Sequence, residues 1–246
     1  MQRLERSQIV ALTVALLLLV PISGLAARWQ WNRYEERDAR NLLISTNANA
    51  QPVDAEQLLI AGSKPKPEDE WTVVKLTGVY QSAEQKLWRR QPLNGAPGFI
   101  AITPLVTDSG LRVLVQRGWV AALGRDPVPD ADLTIEPGTH TVTGRIRFIA
   151  AGDSVDPSDL PAGVTNSPMT MLDASTPLVT VEMTDDDRDF ALALVPLPEI
   201  TSGPHLGYVG QWILIGIGTI SVYIIVLRRS REQTLLERQQ SQETSV

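Results

Sequence analysis

The apolar positions of this chain are gathered at its two ends. Ile9 to Ala27 reads IVALTVALLLLVPISGLAA without one charged residue, and Leu206 to Leu227 is a second uncharged run whose main polar side chains are Gln211, Thr219 and Ser221. As a helix the first run spans about 28 Å, close to the hydrocarbon thickness of a bilayer, and the second is slightly longer. The pattern predicts a transmembrane helix at each end. Pro21 falls late in the first, where a membrane helix tolerates a kink. Gly207, Gly210, Gly216 and Gly218 in the second are small positions that allow close helix approach. The rival reading of the first run is a cleaved signal peptide, with Arg3 and Arg6 as its basic leader and Gly24-Leu25-Ala26 as its cleavage site. The run exceeds the roughly 7–15 apolar residues of a signal, so an uncleaved anchor is expected.

The middle of the chain is polar and strand-like. Glu35 to Leu43 is made of good helix formers and is expected to prolong the first helix into water. Gln51 to Gly62 predicts one or two helical turns, and Ser63 to Glu70, with Pro65 and Pro67, a loop. Trp71 to Tyr80 alternates, with Val74, Leu76 and Gly78 on one side, and Gln85 to Arg90 is expected to pair with it. Phe99 to Val106 and Arg112 to Val120 are two further strands joined by a hairpin turn at Thr107-Asp108-Ser109-Gly110. Thr139 to Ile149 places Val142, Gly144, Ile146 and Phe148 on one face, and Leu178 to Met183 is the last strand. Gly152 to Asp173, rich in Pro, Asp, Ser and Gly, predicts a long loop. The fold class is therefore a membrane α+β protein: two transmembrane helices flanking a β-rich domain over residues 28–205, an antiparallel sheet folded into a sandwich or open barrel.

Charge orients this arrangement. Arg228, Arg229 and Arg231 follow the second span at once and Arg3 and Arg6 precede the first, so both termini are expected in the cytoplasm, residues 228–246 as a tail, and the domain outside it. Arg28, Arg33, Arg37 and Arg40 point the other way, but long domains translocate largely regardless of charge. Trp29, Trp31 and Tyr34 at one outer helix end, and Tyr208 and Trp212 at the other, suit the lipid–water interface. Residues 28–205 hold 16 Lys/Arg against 24 Asp/Glu, which excludes the basic footprint of a nucleic-acid binder. The chain has no cysteine, which removes disulfides, thiolate metal sites and cysteine nucleophiles.

Little is left for catalysis. No GxSxG, HExxH, P-loop or dinucleotide fingerprint occurs. Met169 and Met171 beside a histidine are soft ligand types, yet a copper site without cysteine and with two histidines is poorly supplied. Asp185-Asp186-Asp187 with Asp189 lacks the ligand spacing of a calcium loop and reads as a solvated turn. Of the histidines, His140 introduces a strand at the surface, whereas His205 stands at the outer mouth of the second span beside Pro204 and Tyr208. There a structural role and ligation of a flat, apolar-bodied haem are both open. Arg117-Gly118-Trp119 closes a strand, as a buried Trp with a salt-bridged Arg or as a cationic, stacking surface for an acidic planar ligand.

Several stretches together resemble the surfeit locus protein 1 family. Arg28-Trp29-Gln30-Trp31-Asn32-Arg33 is similar to its Trp-Gln…Arg motif outside the first span. Gly95-Ala96-Pro97-Gly98-Phe99 with Thr103-Pro104-Leu105 resembles its glycine-rich turn and following strand. Val113 to Val120, containing Arg117-Gly118-Trp119, resembles its most recognisable stretch, and Val142 to Arg147 its next strand. Pro204-His205-Leu206-Gly207-Tyr208 with Gln211-Trp212 resembles its His-Leu…Tyr…Trp approach to the second span, although Gly203-Pro204 stands where many members carry paired asparagines. The resemblance implies a non-enzymatic assembly factor, a chaperone of haem-copper cytochrome c oxidase in the inner (plasma) membrane. Its implied partners are oxidase subunit I, other assembly factors and membrane lipid. It also implies haem a as a transient cofactor, with His205 alone carried over as the ligand of its iron; Tyr208, Trp212, Arg117 and Trp29 are cofactor-binding candidates by their own chemistry and position, not by the resemblance. A scaffold that stabilises an oxidase intermediate without touching haem, and a membrane-anchored hydrolase, are the alternatives.

Overall fold

The computed structural model describes residues 6–122, 133–149, 152, 155–184 and 192–243. In chain order its elements are α1 (Arg6–Asn47), β1 (Val53–Asp54), β2 (Val73–Tyr80), β3 (Lys86–Trp88), β4 (Gly98–Thr107), β5 (Arg112–Ala121), β6 (Thr139–Phe148), β7 (Val164–Thr165), β8 (Val179–Met183) and α2 (His205–Glu243). They form two compact units. The described parts of Met1–Asn41 and Thr201–Val246 make a helical unit, and Leu42–Ile200 a β-rich unit.

Both end helices are long and apolar enough to cross a membrane. α1 runs 42 residues, about 63 Å, with Pro21 inside it, so the polar stretch after the apolar run continues the same helix as expected. α2 runs 39 residues, about 58 Å, and carries on as helix past Arg228, Arg229 and Arg231. In hydrocarbon each hydroxyl needs an internal acceptor. Thr13, Ser23, Thr219 and Ser221 each donate to the carbonyl four residues earlier, at 2.7–2.8 Å. The two helices lie side by side and antiparallel. Thr13 Oγ1 is 3.0 Å from Tyr223 OH, Ser23 faces Gly216, and Gln30 meets His205, so positions climb along α1 as they descend along α2.

The β-rich unit is a closed barrel. Its strands follow the order β2-β6-β8-β5-β4, and β4 pairs back onto β2 through Gly78↔Thr107, Val79↔Val106 and Tyr80↔Leu105. Five strands cannot alternate in direction around a ring, so at least one neighbouring pair must be parallel. That pair is β5–β8, with Leu114↔Thr180, Val115↔Val181 and Gln116↔Glu182. Parity thus adds one parallel neighbour pair to the expected antiparallel sheet, and the short pairs β1–β2 and β3–β7 are also parallel. Gly78 sits at the seam, opposite His140 on one side and Thr107 on the other. A Cβ there would stand 2.3 Å from the Val106 carbonyl oxygen, so only glycine lets β2 serve both neighbours.

Alternate residues fill the barrel. Val74, Leu76, Leu105, Val113, Val115, Val142, Ile146, Val179 and Val181 form one buried cluster. The outward side chains Ile100, Ile102 and Leu114 are covered as well, against Met171. That double burial accounts for the nearly unbroken apolar runs of β4 and β5. Residues 85–90 do not pair with β2, whose two edges are already taken by β6 and β4. Instead β3 pairs with β4 and receives β7 on its other side. β7 and a turn at Pro168–Met171 lie within the stretch expected to be a long loop, where Trp88 Nε1 donates to the Asn166 carbonyl.

Two charged clusters lock the outside of the barrel. Arg145 of β6 and Glu182 of β8, register partners, are both buried and form a short ion pair. Arg145 Nη2 also donates to the Val195 carbonyl at 2.8 Å. Arg147 stacks 3.4 Å above the ring of Trp71 and pairs with Glu70 at 3.1 Å. Burial pushes the Glu182 carboxyl up, against the pull of Arg145 and Arg147. At the start of β5, Arg112 donates to Glu84, to the Met171 carbonyl and to Thr176, and lies 3.5 Å from Asp173. Asp173 accepts from the Ser175 amide and hydroxyl and the Thr176 hydroxyl. Hydrogen bonds from Ser175 and Thr176, with Arg112 nearby, bring its pKa down to about 2.

Three stability outcomes follow, each measurable on the full chain in detergent by urea unfolding followed through tryptophan fluorescence. Gly78→Ala lowers stability by about 1–3 kcal/mol, because the clash is with backbone at the barrel seam. Glu182→Leu costs about 3–5 kcal/mol by stranding Arg145, and adding Arg145→Met restores most of the loss; a double variant no better than the single one contradicts this account. Asp173 is depressed in the folded state, so its contribution is present above its ordinary value near 3.8 and fades as pH falls through about 2. Asp173→Asn is therefore slightly less stable than the parent at pH 7, by under about 1 kcal/mol for so exposed a carboxylate, and the gap closes in acid.

Candidate functional site

The residues singled out from the sequence divide between the two units. His205, Tyr208, Trp212 and Trp29 belong to the helical unit, and Arg117 to the barrel. His205 is the first residue of α2. The chain reaches it through Gly203, whose φ of +65° is a left-handed conformation, and through Pro204, whose carbonyl accepts from the Tyr208 amide at 3.2 Å. A Cβ on Gly203 would come within 3.3 Å of both Arg37 Nη1 and His205 Cδ2, so a side chain at this position crowds the imidazole.

The approach to α2 is held against α1 by polar contacts. Arg37 Nε donates to the Thr201 carbonyl at 2.7 Å and its Nη2 to the Thr201 hydroxyl at 2.9 Å, and Asn41 Nδ2 reaches the same carbonyl at 3.0 Å. Two turns earlier on α1, Gln30 Oε1 lies 2.9 Å from His205 Nδ1. Ser23, Gln30 and Arg37 are spaced by sevens, so one face of α1 carries all three contacts. His205 is half-buried, and its Nε2 has no hydrogen-bond partner among the described residues. Tyr208 and Trp212 follow His205 at the third and seventh positions and so share its face of α2. Tyr208 is 45 % exposed and Trp212 half-buried, while Trp29, beside Gln30 on α1, is 55 % exposed with the Arg33 guanidinium 5.9 Å from its ring. This arrangement presents one imidazole nitrogen and several aromatic faces at one end of a pair of apolar helices.

Arg117 has a different setting. The register of β4 and β5 slips between Ala101↔Gly118 and Ile102↔Gln116, which makes Arg117 the extra residue of a β-bulge. Its side chain is buried, donates to Gln85 Oε1 at 2.6 Å and to the Leu133 carbonyl at 3.0 Å, and lies 5.9 Å from the Tyr80 ring centre. Thr103 donates to the same Gln85 oxygen. Burial lifts the Tyr80 hydroxyl to about 12 despite the Arg117 charge. Trp119 is half-buried and gives its indole N–H to the Gln91 carbonyl at 2.6 Å. Arg117 thus has partners within the barrel unit, a side-chain amide and a backbone carbonyl, and Trp119 is half-buried rather than buried.

Among the described residues no group of three or more His, Asp or Glu side chains is placed to hold a metal ion. Met171 is buried in the barrel's outer cluster and Met169 is exposed. Asp185, Asp186, Asp187 and Asp189 lie outside the described residues. His140 accepts no such role: its Nε2 is 2.7 Å from the Glu136 carbonyl and its ring 5.2 Å from Tyr80. Sequence reasoning passed over Gln30 as a partner of His205. Polar side chains recurring every seven residues along α1 were the available signal, since such a stripe marks the face turned to a neighbouring helix.

Comparison with known proteins bears on what this helix pair serves. The SURF1 family pattern matches residues 17–217, which include the end of the first apolar run, the barrel and the first part of α2. Uncharacterized SURF1-like proteins of Mycobacterium bovis and of two strains of Mycobacterium tuberculosis are each 27 % identical over 198 residues, covering 78 % of this chain and 72 % of the relative. With the pattern running through most of its length, from one long apolar helix to the other, the chain belongs to the SURF1 family.

Proposed function

We propose that the protein is a non-enzymatic assembly factor of haem-copper cytochrome c oxidase, and that it holds haem a through His205 before the haem passes to subunit I. The observation that carries this reading is the imidazole of His205, fixed on one side by Gln30 and with Nε2 unengaged among the described residues, at the end of an apolar helix pair. The residues fit the group. Neutral imidazole nitrogen is a haem-iron ligand, Trp29, Tyr208 and Trp212 offer flat apolar surface nearby, and the apolar helices suit a ligand arriving from lipid. One nitrogen rather than two favours release over permanent tenure. Arg117 takes no part in this holding, since its hydrogen bonds to Gln85 and Leu133 belong to the barrel's own polar layer.

The same reading places the protein in the plasma membrane as a two-span protein with both termini cytoplasmic. The antiparallel course of α1 and α2 supports having both ends of the chain on one side, and Arg228, Arg229 and Arg231 next to the second apolar run favour the cytoplasm for that side. The barrel then stands outside, available to oxidase subunits and other assembly factors.

The test is spectroscopic. Full-length protein purified from cells that make haem a carries a Soret band, and His205→Ala lowers haem occupancy at least tenfold while leaving expression and barrel stability unchanged. Co-purification of oxidase subunits without any pigment from the parent protein would replace the haem reading with that of a scaffold.

A further inference from the structure

The contact between Gln30 and His205 specifies more than proximity. The atom facing His205 Nδ1 is Gln30 Oε1, at 2.9 Å. An amide oxygen carries no hydrogen and only accepts. With the Gln30 amide in this orientation the proton of that hydrogen bond resides on Nδ1, and a neutral imidazole with Nδ1–H has its lone pair on Nε2. We infer that Gln30 is a positioning residue that fixes His205 as the Nδ1–H tautomer and so makes Nε2 the atom that ligates. The inference rests on the proposed haem role for its consequence, but not for its geometry.

Three observations support a fixed partnership rather than a passing contact. Gln30 lies on the α1 face already engaged with α2 through Ser23 and the Arg37–Thr201 pair, so its backbone is anchored one heptad to either side. Gly203 leaves the imidazole room on its Cδ2 edge, with Arg37 beside it. The other histidine provides a built-in contrast. His140 Nε2 faces the Glu136 carbonyl, also a pure acceptor, so His140 carries its proton on Nε2. The two contacts thus favour opposite neutral tautomers, the commoner form of free histidine at His140 and the less common one at His205. Groups that orient a ligating imidazole through its second nitrogen typically change metal affinity about 10–100-fold when removed.

The test uses the full-length, haem-free protein in detergent, labelled with nitrogen-15 at histidine, with His140→Gln to assign the two ring systems. The expected spectrum shows protonated Nδ1 and bare Nε2 at His205, reversing or averaging in Gln30→Leu, while Gln30→Glu, which keeps an acceptor oxygen, retains the parent pattern. Titration with ferric haem should then give about tenfold or greater weakening for Gln30→Leu and near-parent affinity for Gln30→Glu. A protonated Nε2 at His205 in the parent protein, a tautomer unchanged in Gln30→Leu, or equal haem affinity in the parent and Gln30→Leu overturns the inference. A parent protein that takes up no haem, but whose His205 tautomer depends on Gln30, defeats the haem reading and leaves the positioning role intact.

Discussion

The side-by-side, antiparallel pairing of two apolar helices is the constraint on which the setting of His205, and with it the proposed function, depends. Hydrocarbon gives such helices no hydrophobic reason to associate, so the pairing must come from close packing and from the few polar groups that cross the interface. The structure supplies both, with Ser23 against Gly216 in the apolar stretch and Thr13 with Tyr223 toward one end. Toward the other end lie Gln30 with His205 and Arg37 with Thr201. Separate the helices and His205 becomes an unsupported side chain at the start of a helix. Pair them and it becomes an oriented imidazole with one nitrogen committed.

The barrel answers a different requirement. A domain of this size without cysteine needs a core that closes on itself, and a five-stranded ring achieves that by accepting one parallel neighbour pair and one glycine seam at Gly78. Its charged residues are largely internal to that solution. Arg145 with Glu182 ties β6 to β8 and to the strand-like segment that precedes α2, Arg112 ties β5 to the turns around Glu84 and Asp173, and Arg117 caps a bulge. The β-rich unit therefore uses its arginines as fasteners, which is why a cationic ligand surface built on Arg117 is a poorer account of that residue than an internal one.

Much of this was legible in the chain. The two helices announce themselves by uninterrupted apolar runs of bilayer length. Five barrel strands appear within a residue or two of their observed limits because period-two alternation survives in β2 and β6 and apolar runs mark β4, β5 and β8. What escaped depends on partners distant in sequence. β3 carries no mark of whether it pairs with β2 or β4, and the choice is made by β6 having already occupied β2. β7 is two residues long, below the reach of any periodicity. His205 stood out by rarity and place, whereas Gln30 is an ordinary polar residue whose meaning comes only from the helix opposite.

Because the chain is free of cysteine, the helix pairing can be tested with a single introduced pair. An ideal Cβ on Gly216 lies 3.6 Å from Ser23 Cβ, within the range a disulfide spans without strain. In native membranes treated with a mild oxidant, a Ser23→Cys/Gly216→Cys variant should close an intramolecular bridge that shifts its mobility on a denaturing gel, while Leu25→Cys/Gly216→Cys, displaced around α1, should not. A Ser23/Gly216 pair that fails to bridge while the displaced pair does would contradict the antiparallel register, and with it the orientation assigned to His205.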